Sequence, residues 1–227
     1  MKYLRRILLL FPIITLSLSA GSPTTLNLGW ISPKPEVLTY RSHGDHGEGL
    51  YQVCLFRSDS LLELSISIIS PGFSKIVATS MKDDLSPVFS RATIVVNDQV
   101  AMATSCEYGR NSATISTRMF PYNRTLANTL NSPDPLWDYA ESPLLVRAIP
   151  LDSGSIATFP TISPRTNTLA SMTLSVIGDG AIGTVQCVRV EVVDFEGKSI
   201  YWMEKGDRRR VMRIEQPETH TVSELIQ

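Results

Sequence analysis

Apolar and polar residues alternate along much of this chain with a period of two, the spacing that puts every second side chain on one face of a pleated strand. The clearest run is Leu62-Glu63-Leu64-Ser65-Ile66-Ser67-Ile68, with its four apolar residues sharing a face. Leu26-Asn27-Leu28-Gly29-Trp30 alternates likewise, as do Met172, Leu174 and Val176, and Thr184 to Val193 with Val188, Val190 and Val192 to one side. Further strand-like stretches cover 36–42, 49–56, 74–79, 90–96, 100–106, 112–120, 155–159, 199–204 and 208–215. Turn chemistry separates them: Asn97-Asp98, Tyr108-Gly109-Arg110-Asn111, the glycines from Gly178 to Gly183, Phe195-Glu196-Gly197-Lys198 and Lys205-Gly206-Asp207. Strands joined by such short turns pair antiparallel. About a dozen strands in about 200 residues must curl or close, because a wide open sheet leaves unprotected edges. The pattern therefore predicts a mainly β fold, one large curved antiparallel sheet forming a half-barrel or barrel.

One segment breaks the rhythm. Asn131-Ser132-Pro133-Asp134-Pro135 offers a cap and a helix-starting proline, and Leu136, Trp137, Tyr139 and Ala140 follow at helical spacing. Ser142-Pro143 starts a second turn through Leu144, Leu145, Val146 and Ile149 to the stop at Pro150. The spacing predicts one helical crossover at about 134–149. The polar stretch from Pro121 to Pro133 reads as a weakly ordered linker, and together with residues 21–35 it is where a lid would be sought.

The first twenty residues read as an address. Lys2, Arg5 and Arg6 precede an apolar run from Ile7 to Leu18, and the small residues Ser17, Ser19 and Ala20 follow, the pattern of a secretory signal peptide cleaved near Ser19 or Ala20. The run is shorter than the roughly 20 residues that cross a bilayer, so an exported periplasmic protein, peripheral to the membrane at most, is favoured over an uncleaved anchor. Residues 21–227 then form a single β-rich domain. The chain is 43% apolar and 19% charged, which excludes a disordered chain. Beyond residue 20 it carries 18 basic and 22 acidic groups, which argues against a nucleic-acid partner. Cys54, Cys106 and Cys187 are an odd number in strand-like segments and read as small core residues, with one disulfide between two of them as the alternative.

Candidate chemistry is sparse. Gly178-Asp179-Gly180-Ala181-Ile182-Gly183 has the spacing of a dinucleotide loop, but a strand-like run comes after it where a helix is required, so it reads as a hairpin turn. His43, Asp45, His46 and Glu48 carry zinc-binding groups within six residues, yet a polar connection between strands explains them, and no metal or cofactor is expected. His43, Asp83 or Asp84, and Ser153 follow the order of a hydrolytic triad without the glycines of an oxyanion hole. Lys205, Arg208, Arg209, Arg210 and Arg213 either protect a strand edge or form a basic rim for an anionic lipid headgroup. Asn123-Arg124-Thr125 matches a glycosylation acceptor.

From Asp134 onward the order of features resembles a family of exported bacterial proteins known only as a domain of unknown function. The pieces are Leu136-Trp137, the run Leu145-Val146-Arg147-Ala148-Ile149-Pro150-Leu151, Gly154, and the hairpin Gly183-Thr184-Val185-Gln186-Cys187. After them come Gly197 before Tyr201-Trp202, and Arg208-Arg209-Arg210-Val211-Met212-Arg213-Ile214-Glu215. The family is similar in fold to periplasmic lipoprotein carriers, whose curved sheet wraps a helix, leaves an apolar cavity and carries no catalytic residues. The resemblance implies that Trp137, Leu144, Leu145 and Ile149 pack into the concave face, with Tyr201 and Trp202 near the end of a late strand.

The leading expectation is a non-enzymatic envelope protein binding lipid, an acyl chain or a lipoprotein in a cavity lined by those six residues, with Arg208, Arg209, Arg210 and Arg213 at the rim. It requires a continuous apolar cavity of several hundred Å³, the usual size of a ligand pocket. The alternative is a structural envelope scaffold that binds a protein partner by strand addition, which requires a filled interior and an uncovered edge. A hydrolase built round His43, His46 and Glu48 or Ser153 comes third and requires those groups to meet.

Overall fold

The computed structural model describes residues 25–45, 47–58, 60–163 and 167–226. Residues 1–24, with the signal-like pattern, and His46 lie outside the described residues. Among the described residues fifteen strands form one sheet. β1 (Glu36–Gly44), β2 (Gly47–Ser58), β3 (Leu61–Ser70), β4 (Phe73–Met81), β5 (Pro87–Val96), β6 (Gln99–Tyr108), β7 (Ser112–Met119) and β8 (Arg124–Asn131) run up and down in chain order. The chain then crosses to the far side of the sheet. There β9 (Trp137–Asp138) leads through a 3₁₀ turn at Tyr139–Glu141 into α1 (Ser142–Ala148), the single α-helix among the described residues. A second meander, β10 (Ile156–Ser163), β11 (Thr168–Ile182), β12 (Val185–Asp194), β13 (Gly197–Glu204), β14 (Val211–Gln216) and β15 (Thr221–Leu225), returns until β15 pairs antiparallel with β1. The two meanders thus join at their first and last strands, and β8 and β9 are the sheet's two edges. Among the described strands only the β9–β10 pair is parallel. The mainly β architecture with a helical crossover is as the period-two pattern predicts.

Register converts the alternation into a core. Val53, Ile66 and Val77 align across β2, β3 and β4, and all three are buried. Burying such a side chain contributes about 1.5–3 kcal/mol. Leu38, Tyr40 and Leu64 from the first meander and Leu174, Val190 and Met203 from the second share one cluster with Leu144, Leu145, Val146, Ala148 and Ile149 of the helical segment. The sheet is therefore rolled round α1. The roll closes through side chains: Leu136 and Ile162, beside edge β9, pack with Cys106, Ala113 and Ile115 of β6 and β7.

Three local expectations are corrected. Residues 26–30 form a turn-bearing strap, because the Asn27 side chain accepts the Gly29 N–H at 3.0 Å and the Asn27 N–H donates to the Ala148 carbonyl at 2.6 Å, which uses locally the groups a strand would pair. Leu26, Leu28, Trp30 and Ile31 of this strap pack on the core. The helical segment begins after Asp138, not at 134, because Trp137 and Asp138 pair with Thr161 and Ile162 and the Asp138 carboxylate caps the turn at Tyr139–Glu141. The expected linker at 121–133 contains β8, laddered to β7 from Arg124 to Asn131. The glycine-rich motif is strand β11 turning at Gly183 into β12, a hairpin as expected. All three cysteines are free, with Cys106 and Cys187 buried and Cys54 half-buried.

Candidate functional site

α1 occupies the space the sheet encloses. Leu144, Leu145 and Ile149 are wholly buried, Tyr201 is buried with its hydroxyl 3.3 Å from Ser142 Oγ, and Trp137 meets Phe159 edge-on at 5.4 Å. Five of the six expected cavity residues thus come together, packed against one another or the surrounding core. Trp202 does not join them: successive strand residues face opposite ways, so with Tyr201 inward Trp202 lies on the outer face, between the Arg189 and Arg213 guanidiniums. Ile149 also borders an open cleft of about 300 Å³ with Thr25, Pro150, Ser155, Ile156 and Ala157.

The helix is locked by charges, of which the period-two and helical patterns leave Arg147 unremarked. Arg147 is 2% exposed and donates to both Glu36 carboxylate oxygens at 2.6 and 3.1 Å and to the Arg208 carbonyl at 2.8 Å, with its guanidinium over the Trp30 ring at 3.9 Å. A charge buried this deeply is tolerated only when paired. Arg209, at a φ of 50°, donates to the Arg147 and Ile149 carbonyls at 2.8 and 2.9 Å, the groups a helix end leaves open. Arg210 forms a two-point pair with Glu204, and Arg213 reaches Glu215 and Glu224. Three of the four expected rim arginines are thus engaged within the protein, and the fourth, Arg208, is exposed.

A second buried group begins the helical segment. Asp138 accepts from Ala140 N–H at 2.8 Å and from the Tyr108 hydroxyl at 2.7 Å, and its own N–H donates to Glu141 at 3.3 Å, a capping box. The other Glu141 carboxylate oxygen has no partner. Burial, then the neighbouring Asp138 charge, pushes the Glu141 carboxyl well above the usual carboxylate range. Burial also raises Asp138, against hydrogen bonds from Ser90, Tyr108 and Ala140 that pull it down. Perturbed acids signal chemistry where substrate reaches them, but these two are 1% and 0% exposed. Beside them the Tyr139 hydroxyl donates to Glu196 at 2.7 Å and accepts from Lys75 at 3.2 Å, spanning from β4 to the β12–β13 turn.

Among the described residues the remaining constellations do not assemble. His43 is opposite Glu48 at one end of β2, whereas Asp83 pairs with Arg57 at the other, nine residues or about 30 Å along the strand. Asp84 binds Ser86, and Ser153 sits in the turn before β10. Asp45 meets His220 at 2.9 Å, and among the described residues no group of three metal-binding side chains forms. Asn123 is exposed in the β7–β8 turn.

What remains open is an edge. β9 is two residues long and tucked against the inner face of the roll. β8 is eight residues long, pairs with β7 alone among the described strands, and holds no charge and no proline from Thr125 to Asn131. Six of its eight residues are exposed. Alternate N–H and C=O groups of such a strand point away from its one neighbour, a template for another chain. Its signal in the sequence is faint because Leu126 and Leu130 are the only large apolar residues in a run of Thr, Asn and Ala.

A family model described as a protein of unknown function, DUF3108, matches residues 63–219, from β3 to beyond β14. The chain belongs to that family. Among solved structures, a beta-barrel-like protein of domain of unknown function DUF1849 from Brucella abortus is similar in fold, with a TM-score of 0.55 at 8% identity over 87% of this chain and 98% of that one. No curated protein matches. Membership in a family of unknown function and a barrel-like fold agree with the resemblance drawn from the second half of the sequence.

Proposed function

We propose that this member of the DUF3108 family is a non-enzymatic protein of the bacterial cell envelope that holds a protein partner through the β8 edge, the partner's strand extending the sheet. One observation carries the reading: a fifteen-stranded sheet whose interior is occupied by its own helix ends in an uncharged, exposed run from Thr125 to Asn131. Main-chain hydrogen bonds along such an edge supply affinity, and alternate side chains supply selectivity. The signal-like pattern of the first twenty residues supports the envelope as the compartment. A lipid or lipoprotein carrier would need the centre of the roll to open, where Leu144, Leu145 and Ile149 are wholly buried.

Native mass spectrometry of the protein purified from its own envelope, with lipid extraction, tests this. The expected result is a stoichiometric second polypeptide that is lost when two exposed edge positions are charged, Ala127→Lys with Thr129→Lys. A stoichiometric lipid with no polypeptide would overturn the scaffold reading in favour of the carrier.

A further inference from the structure

The two ends of the first meander differ in their turns. At one end they are polar, with Lys82-Asp83-Asp84 between β4 and β5 and Gly109-Arg110-Asn111 between β6 and β7. At the other end three adjacent hairpin tips turn apolar residues outward: Pro71 between β3 and β4, Val96 at the end of β5, and Phe120-Pro121-Tyr122 between β7 and β8. Phe120 is 41% exposed and Tyr122 77%. The tips are fastened to one another, because the Asn97 N–H donates to the Gly72 carbonyl at 2.9 Å and the Phe120 N–H to the Ala101 carbonyl at 3.1 Å. The last turn closes through the Asn123 N–H on the Phe120 carbonyl at 3.1 Å, with Asn123 at a left-handed φ of 44°. Fixed turns thus hold large apolar side chains in water side by side, and apolar residues grouped in this way mark a contact surface.

Register extends the apolar end behind the tips. Leu50, Ile69, Ser74, Val95 and Val100 align in one row from β2 to β6, four strand spacings or about 19 Å. Leu50 is three residues from the inward Val53 and Ile69 three from the inward Ile66, so the row lies on the outer face, where Leu50, Ile69 and Val100 are exposed. Arginines stand behind the longest tip. From Tyr108 to Pro133 there is no Asp or Glu, and Asp98 is the one carboxylate in the three turns. Arg118 and Arg124 are exposed at the two shoulders of the β7–β8 turn, and because Arg124 aligns with Met119 they lie on opposite faces of the hairpin. Arg118 is two residues or about 7 Å behind Phe120, with its guanidinium 4.9 Å from that ring.

We infer that this end of the first meander docks on an anionic lipid bilayer, with Phe120 and Tyr122 entering the acyl boundary and Arg118 and Arg124 at the level of the phosphates. The dimensions agree: an apolar surface sinks about 5–10 Å into the bilayer interface, and the headgroup region is about 5–7 Å deep, close to the distance from the tip to Arg118. Aromatic rings favour that boundary, and arginine beside an anionic surface is attracted to it. Two arginines on opposite faces of one hairpin cannot enter a single groove together, but both reach a plane that the tip enters end-on. The docking does not depend on what β8 binds, and it leaves the β8 edge rising from the lipid surface, open along its length.

Flotation of the protein with phosphatidylcholine vesicles, with and without phosphatidylglycerol, tests it. The native protein is expected to bind the vesicles containing phosphatidylglycerol roughly tenfold more tightly than phosphatidylcholine alone, and less so as salt rises. Phe120→Ser with Tyr122→Ser, both exposed, is expected to weaken binding to either vesicle about tenfold with an unchanged midpoint of unfolding in urea. The two proteins share the rest of the chain, so the difference reads the tip alone. Arg118→Gln with Arg124→Gln is expected to keep the binding to phosphatidylcholine and remove the preference for phosphatidylglycerol. Equal binding of the native protein to both vesicles, undiminished binding of the serine variant, or no binding by the native protein would each overturn the docking. A dimer formed without vesicles and lost in the serine variant would overturn it in favour of a second copy at the tips.

Discussion

Arg147 shows most directly how single residues hold the roll together. Its guanidinium ties α1 to Glu36 of β1 and to the β13–β14 loop, while Trp30 covers it. Arg147→Ala leaves Glu36 beside the core without its partner and is expected to cost about 3 kcal/mol in urea unfolding, whereas replacing both residues with apolar ones recovers most of the loss. A change below about 1 kcal/mol would show that the pair is incidental. Glu141 acts in the opposite sense. Its carboxyl is raised in the folded protein, so the folded state binds the proton more tightly than the unfolded chain does. That contribution is full below the unfolded value of about 4.5 and is lost as pH rises toward the folded value. Glu141→Gln keeps an acceptor for the Asp138 N–H and removes the titration. Its stability between pH 5 and pH 8 is expected to decline less than that of the native protein; parallel declines would contradict the assignment.

Among the elements, the glycine-rich end of β11 is there for close packing. A Cβ at Gly180 would stand 2.4 Å from the Trp202 ring, so Gly180→Ala is expected to cost about 1–3 kcal/mol and to shift Trp202 fluorescence, with Trp202→Leu relieving the cost. Strong period-two stretches such as Leu62 to Ile68 are legible as strands because one face is buried in a continuous core. The capping box Asp138-x-x-Glu141 is also written in the sequence, but the prolines at 133 and 135 draw the expected helix start about five residues too early. β8 is hidden because an edge strand packs one face lightly and needs no apolar alternation, and Arg147 because an arginine in an apolar run gives no sign of a partner 111 residues away. The candidate site is least legible for the same reason: an open edge is defined by what fails to pair with it, which only the complete strand order reveals.

At the scale of the whole molecule, two meanders joined through β1 and β15 wrap one short helix, and the two ends of the sheet are treated differently. One end is cut to two residues and sealed by Tyr108, Asp138 and an apolar cluster. The other is left long and uncharged from Thr125 onward. Natural sheets ordinarily blunt such an edge with lysine, proline or a cover, so an edge left exposed points to use. The most direct measurement is photo-crosslinking in intact cells from a reactive side chain at Ala127 in β8, compared with one at Thr158, an exposed position on β10 in the opposite half. The expected result is one defined polypeptide adduct from Ala127, lost when the exposed edge positions Thr125 and Thr129 are charged as Thr125→Glu with Thr129→Glu, and none from Thr158. No adduct from Ala127, or the same adducts from both positions, would contradict a partner held at the β8 edge.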